Sequence, residues 1–552
     1  MNSPAQALKG ETTWKIGAQA IYRVPGTAPN RVLATVIFLA WLGVVVFLAC
    51  THLVWRDEVR AMSVSLKGGN VFAMLKGLHG EGHPAVWYLL VRAGHALVPH
   101  PESMLLVSIA VGAAAILVLL LRSPFSLPFL LLLLATRFGI YEYTVMARNY
   151  GLSMLLMFLF VVFYERHRNK DYLLGVLLFL LVNCNVPSVL LAAGLLLFWF
   201  IDISFGDAPA KSADLRLFAW NAAIAVFGVS ICFITVFPTY SDSAAIDRSN
   251  LGLQSLFKAV LLPSLQYEYS SRLPFIDKMA RGIQPLVQGL TIFKSVILLG
   301  STLGLLRRRA ALVAALTTLV VFSLFFVIVY PAGYRHQALW LSFMVCMYWL
   351  AGPGDSRHKA DPSSLANKAL LNRLATAGTA LFVLLLILQL PYRTHIFESL
   401  INPFTALKNR NDHIGSILAA HPELKQAVVV ADPDFLVETL PYYVSNPTYL
   451  MREQRYGNVV HFTRTAKLEL SLGDVLTNAR RLSRETSKPI VILLLMDLDS
   501  SLPAYVFREG YNWKLTVTPE QVREFQASTR LIQHHSAPPD SDEKYSVYVL
   551  DN

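Results

Sequence analysis

The chain has 552 residues, of which 54% are hydrophobic and 15% charged, with a mean hydropathy of +0.47 and a formal net charge of +12. So apolar a composition excludes an ordinary soluble enzyme, because its Leu, Val, Phe and Ala runs reach the roughly 17–25 residues needed to cross a hydrocarbon core. The basic residues are spread among loops rather than gathered on one soluble face, which points to membrane topology and away from nucleic acid.

Residues 1–30 are polar and lack the short apolar core and small-residue cleavage site of a secretory signal. The first apolar run extends from about Val32 to Val54, behind Lys9, Lys15, Arg23 and Arg31. The positive-inside rule therefore puts segment 1–30 in the cytoplasm and Asp57 on the outer side. From Glu58 to Val98, charges, glycines and histidines alternate with apolar residues, predicting two amphipathic helices along the outer surface. They belong to a first external loop, residues 55–102. The run Ala85–Val98 is not counted as a span, since Arg92 and His95 lie within it and every later loop would be inverted.

The next spans are Ser103–Leu121, Phe125–Ile140, Tyr150–Tyr164, Tyr172–Val182, Val189–Ile203 and Arg216–Phe237. After a long external loop that ends near Gln284 come Leu286–Leu306, Leu312–Val329, Ala338–Ala351 and Ala375–Leu390. This gives a transmembrane module over residues 31–391 with about eleven helices. The basic clusters Arg166, Arg168, Lys170 and Arg307-Arg308-Arg309 fall on the inner side, as does the linker Gly352–Arg373. Tyr141–Asn149 and Tyr330–His336 form outer turns. All four cysteines (Cys50, Cys184, Cys232, Cys346) lie in apolar runs and say nothing about redox compartment.

From Pro391 the composition becomes that of a soluble domain. Ala427–Ala431 and Pro489–Met496 have buried-strand character, Leu472–Thr486 has helical spacing, and Lys544–Leu550 alternates like a final strand. The expected fold is thus a polytopic α-helical membrane protein with a small C-terminal α/β extracytoplasmic domain, residues 392–552. No nucleotide-binding glycine signature or Walker-type loop occurs, which argues against ATP-driven transport.

Three stretches carry candidate chemistry. Asp57-Glu58 follows directly on the first span; the bland reading is a solvated pair of acids, the functional one a general base at the membrane surface. His83 is framed by Gly80, Gly82 and Pro84 and followed by the aromatic pair Trp87-Tyr88. Arg148, in Met146-Ala147-Arg148-Asn149-Tyr150, and Arg335-His336 are cations at outer turns, where the positive-inside rule disfavours them. Snorkelling to headgroups explains one such arginine; a phosphate that needs a forked cation explains two. Asp432, Asp434 and Asp497 end apolar strands and are read as structural.

Together these motifs resemble the GT-C class of membrane glycosyltransferases, which includes protein O-mannosyltransferases and lipid A aminoarabinose transferases. The likeness covers roughly residues 30–200: an Asp-Glu pair after span one, a large first external loop with a His-Pro turn and aromatics, and Ala147-Arg148-Asn149-Tyr150 opening a later span. Where the family often has a second proline after His-Pro, Ala85 follows Pro84. The resemblance implies a polyprenyl-phosphate-linked sugar as donor and a lipid, glycan or protein as acceptor, in a bacterial inner membrane. It implies Asp57 as general base, with Glu58 contacting acceptor or loop or helping to hold a divalent metal. His83, Arg148, Arg335 and His336 would then bind the donor phosphate, and Trp87, Tyr88 and Tyr150 would line the donor or acceptor pocket. No cofactor is required by the residues themselves. Three other classes fit membrane placement: a lipid-linked sugar transporter or flippase, an O-antigen ligase or polymerase, and a receptor with a sensing C-terminal domain. A transporter calls for charges or broken helices at mid-depth, whereas the notable charges here stand at one face.

Overall fold

The computed structural model of the chain describes residues 21–24, 30–78, 81–205, 212–237, 252–267, 284–330, 333–352, 365–392, 394–409, 413–463, 465–508, 512–535 and 544–551. Most of the polar segment 1–30, residues 238–251 and 268–283 of the long external loop, and 353–364 of the inner linker lie outside the described residues, as do Gly80, Pro331 and Ala332.

The protein is mostly helical, and among the described residues 7 helices are long and apolar enough to cross a membrane. They are Arg31–Thr51, Ser103–Arg122, Val186–Ser204, Ser212–Val236, Val287–Leu305, Arg309–Ile328 and Ala369–Ile387. The other four expected spans are helices of a different kind: Leu127–Ala135, Tyr150–His167, Leu173–Val182 and Tyr334–Leu350, of 9, 18, 10 and 17 residues. At 1.5 Å per residue a ten-residue helix rises about 15 Å, half of a hydrocarbon core. Tyr150–His167 has the length but closes on Glu165-Arg166-His167.

Hydropathy overran the helix Leu127–Ala135 because it does not register a backbone break. Thr136 is extended (ψ 152°), and its hydroxyl both donates to the Leu133 carbonyl (2.7 Å) and accepts the Gly139 N–H (3.2 Å). A single π-helical turn, Phe138–Glu142, follows. A Cβ on Gly139 would meet the Leu133 carbonyl oxygen at 2.4 Å, so the bend needs glycine. The break turns Arg137 and Glu142 inward at the bundle's end instead of leaving them on a lipid face.

Helices Tyr150–His167 and Tyr334–Leu350 pack against each other in the centre of the bundle, the second buried on all sides. At the end away from Asp57, Asp202 accepts hydrogen bonds from Tyr164 (2.8 Å), Arg168 (2.7 Å) and Arg308 (2.9 Å), uniting the two basic clusters assigned to the inner side. Buried cations here are paired, as desolvation demands.

The first external loop holds three helices where two were expected: Arg56–Leu66, Val71–Lys76 and Ala85–Leu97. Gly68, at φ +75°, is where the first ends and the chain reverses. Ala85–Leu97, with 13 residues, packs on Arg56–Leu66 and on Ser103–Arg122.

The C-terminal region forms an α/β domain. Strands β1 (Val428–Asp432), β2 (Thr448–Leu450), β3 (Arg455–Tyr456), β5 (Ile490–Leu494), β8 (Thr529–His535) and β9 (Tyr545–Leu550) make one mixed sheet in the order β3-β2-β1-β5-β9-β8. β1 pairs in parallel with β2 and β5, and β9 runs antiparallel to β5. Because β1 and β5 are covered on both faces, they read as unbroken apolar runs rather than alternating ones. β4 (Glu469–Ser471), β6 (Tyr505–Arg508) and β7 (Lys514–Val517) form a second sheet, and helix Leu472–Thr486 starts at the Ser471–Asp474 capping box. This domain seats on the loop of residues 55–102: its turn Asp434–Thr439 packs on helix Arg56–Leu66, and Val459 joins the apolar cluster of Val59, Met62 and Trp87.

Candidate active site

The site is organised around the start of helix Arg56–Leu66. Trp55 has extended backbone, and two acids, Asp57 and Glu58, occupy the first turn, where the helix dipole favours negative charge. They diverge at once. Glu58 turns back: its Oε2 accepts the Trp55 backbone N–H at 2.8 Å and lies 2.8 Å from His52 Nε2, and its Oε1 accepts the Ala147 N–H. His52 Nδ1 continues the chain to the Tyr141 hydroxyl at 2.7 Å. Burial alone would raise the Glu58 pKa, but His52 and the two N–H donors hold it below the usual carboxylate range. Glu58 thus ties the first span, the surface helix and the Ala147-Arg148 turn together. Of the contacts expected for Glu58, the one to the loop is present, through Ala147; the side chain is fully buried and both oxygens are engaged.

Asp57 remains 31% exposed. Arg148 grips it twice, donating from Nη1 to its backbone carbonyl at 2.7 Å and placing Nη2 3.5 Å from Oδ2. Arg56 Nε stands 3.9 Å from Oδ1. Burial pushes the Asp57 carboxyl up, but Arg148, Arg56, Arg335 and His83 outweigh it and bring the pKa to about 2.

Arg148 Nη2 also lies 2.7 Å from His83 Nε2. An arginine only donates, so His83 accepts there and its proton is assigned to Nδ1. That Nδ1 is buried and has no hydrogen-bond partner among the described residues. Burial and the neighbouring Arg148 hold His83 well below its ordinary pKa, so at neutral pH it is an uncharged N–H donor rather than the cation a phosphate contact would use.

Arg335 lays its guanidinium over the Trp55 ring at 4.2 Å, with Nε 3.9 Å from Glu142 and Nη1 buried without a hydrogen-bond partner among the described residues. His336 Nε2 meets the Tyr150 hydroxyl at 2.8 Å, and its ring stands edge-on to Tyr150 and Tyr330. Asp57, His83, Arg148, Tyr150, Arg335 and His336, spread over nearly three hundred residues of sequence, therefore share one recess. Trp87 and Tyr88 do not line it openly. They are 2% and 3% exposed and pack in the apolar cluster beneath the surface helix, because helix Ala85–Leu97 turns that face inward. Arg56 and His52 belong to the arrangement and escaped the sequence reading, the charge run Arg56-Asp57-Glu58-Val59-Arg60 being the available signal for the first; Glu142, which sequence places at an outer turn with no role beyond loop chemistry, belongs to it too.

The donors around Asp57 do not suit a divalent cation. One carboxylate ringed by three guanidinium groups repels it, and Glu58 has no oxygen to offer. Among the described residues no group of three or more His, Cys, Asp or Glu could hold a metal ion. What the recess can receive is an anion, by forked and charge-assisted hydrogen bonds, next to an ionised carboxylate. Of the strand-end acids, Asp432 and Asp434 are structural, as read from sequence: Asp432 pairs with fully buried Arg452 at 2.8 Å, and Asp434 accepts the Met451 and Arg452 N–H groups, whereas Asp497 is half-exposed beside His534 and Lys544.

No protein-family model matches the chain, and no curated protein matches it.

Proposed function

We propose that the protein is an inverting glycosyltransferase of the GT-C kind, moving a sugar from a polyprenyl phosphate to a hydroxyl on the outer face of a bacterial inner membrane. The acceptor is a lipid, glycan or protein. The observation that carries this reading is the pairing in one recess of an ionised, partly open carboxylate, Asp57, with the guanidinium groups of Arg148, Arg335 and Arg56. Glycosyl transfer from a lipid phosphate needs both, a base for the acceptor and fixed positive charge for the leaving group.

In this reading the donor phosphate enters beside Arg148 and Arg335 and draws Arg148 from the Asp57 carboxylate. The acceptor hydroxyl oxygen attacks the anomeric carbon, the bond from that carbon to the phosphate oxygen breaks, and the phosphate departs with the electron pair. Asp57 takes the hydroxyl proton. A carboxylate with a pKa of about 2 does so late, once the forming C–O bond has acidified the hydroxyl. His83, uncharged, offers its Nδ1–H to a phosphate or sugar oxygen. The proposed topology keeps about eleven membrane-embedded helices, of which Tyr150–His167 and Tyr334–Leu350 are enclosed by their neighbours. It keeps the N-terminus inside, and the recess and C-terminal domain outside.

The deciding experiment incubates the purified protein with a panel of polyprenyl-phosphate sugars and measures released lipid phosphate. Release with at least one donor, abolished in Asp57→Asn, supports the reading. Absence of release with every donor, alongside equal affinity for sugar-free and sugar-bearing lipid phosphate, defeats it.

A further inference from the structure

The helix that presents Asp57 is also the docking platform of the C-terminal domain, and the two arginines flanking the acid make the contact. Arg56 lies over the Phe435 ring at 4.1 Å, and Phe435 stacks in turn on buried Trp513. Arg60 follows Asp57 by three residues, on the same side of the helix. Its Nε and Nη2 bind the Glu81 carboxylate at 3.1 and 2.8 Å, while Nη1 binds the Glu438 carboxylate and the Val460 carbonyl, the latter at 2.9 Å. Glu438 is 1% exposed and also accepts the Val460 N–H at 2.9 Å. Two acids therefore surround one guanidinium, and four of its five N–H groups are used.

We infer that Glu438 of the C-terminal domain is a positioning residue for Asp57, holding Arg60 away so that the carboxylate stays open to substrate. Without the Glu438 carboxylate, Arg60 keeps Glu81 and the Val460 carbonyl but loses its second counter-charge. A partly open carboxylate three residues back along the helix is a ready partner. The base would then be capped by its own helix. This assigns the C-terminal domain a part in the active site, rather than a tether or a separate sensor. The inference rests on Asp57 being the reacting carboxylate, so its test includes a readout independent of transfer.

In the full-length protein, Glu438→Gln should lower turnover about 10²-fold, the scale on which misplacing a catalytic group acts. Glu438→Asp, which keeps the charge, should retain most activity. The informative variant is Glu438→Gln with Arg60→Met. If Arg60 is what closes on Asp57, removing it restores turnover to within about tenfold of the wild type; a merely structural role for Glu438 makes the double variant worse than the single. In parallel, water-soluble carbodiimide with glycine ethyl ester, followed by peptide mass spectrometry, reports how open Asp57 is. Labelling of Asp57 should fall in Glu438→Gln and return in the double variant. If labelling follows that pattern while the wild type transfers no sugar, the positioning inference stands and the glycosyltransferase reading falls. If the wild type transfers sugar but neither labelling nor turnover responds to Glu438→Gln, or the double variant is not rescued, the positioning inference is overturned alone.

Discussion

Arg148 holds Asp57 by its backbone carbonyl at 2.7 Å and approaches its carboxylate only to 3.5 Å. The tight contact is with the peptide and the loose one with the charge. An arginine anchored this way can release the carboxylate to a competing anion without leaving its place, which is the property a donor-binding cation beside a base requires.

Asp57→Asn keeps the size and the backbone grip but removes the base. Turnover should fall about 10²–10⁴-fold, with donor affinity unchanged or higher because Arg148 no longer has a carboxylate to attend. Steady-state kinetics with donor binding measured alongside decide it. Normal turnover in this variant removes Asp57 from the chemistry.

Arg148→Gln should change the acid response of the protein. The folded state holds Asp57 below its unfolded pKa of 3.8, so its contribution to stability is present above that pH and is lost as pH falls through about 2. With Arg148 gone the loss should move up toward the ordinary carboxylate range. Thermal unfolding followed between about pH 3 and 7 should show the variant failing first at the acid end. Parallel curves would mean that Arg148 is not the cation that sets Asp57.

Glu58→Gln should behave unlike Asp57→Asn. It weakens the contacts to His52, Trp55 and Ala147 in a fully buried place, a cost of about 1–3 kcal/mol. Melting temperature and turnover should therefore fall together, whereas Asp57→Asn should lose turnover alone. Comparing the two variants by thermal shift and kinetics tests the division of labour.

Asp434 gives the C-terminal domain a pH response of opposite sign. Burial and the neighbouring Asp432 push its pKa up to about 8 against the pull of the Arg452 and Met451 N–H groups. With the folded value above the unfolded 3.8, this contribution is complete below that pH and is lost as pH rises through about 8. Asp434→Asn should flatten the unfolding profile between about pH 4 and 8. An unchanged profile would place the titration elsewhere.

The recess and the C-terminal domain should face the same side of the membrane. In a cysteine-free background, cysteines introduced at exposed Lys67 and Ala420 should react with an impermeant maleimide from outside, and one at exposed Arg122 only after permeabilisation. Opposite labelling of positions 67 and 420 would overturn the topology.

What could be read from sequence followed from local signals. Helix Leu472–Thr486 was delimited to the residue, because the Ser471 cap and the apolar period are both short-range. The gathering of Asp57, His83, Arg148, Arg335 and His336 was legible because each is a polar residue stranded beside an apolar run on the same expected side. The opposed fates of Asp57 and Glu58 were not, since adjacency in sequence says nothing about which acid finds a histidine and two N–H groups. Nor was the inward turn of Trp87 and Tyr88, because an interfacial aromatic and a core aromatic look alike in one sequence. The break at Thr136 lay inside an apolar run, where hydropathy is silent.

Arg60 and Glu438, which join across the outer loop, are separated by 378 residues. At about 5–20 residues per second of synthesis, Glu438 is made roughly 20–75 s after Arg60. Through that interval Arg60 has Glu81 but not Glu438, and Arg56 has no Phe435 to lie on, so the nascent protein has Asp57 long before it has the domain that settles the charges around it. A later part of the chain thus fixes the chemistry of an earlier one, and a product truncated before residue 438 would carry every residue of the recess in an unfinished state.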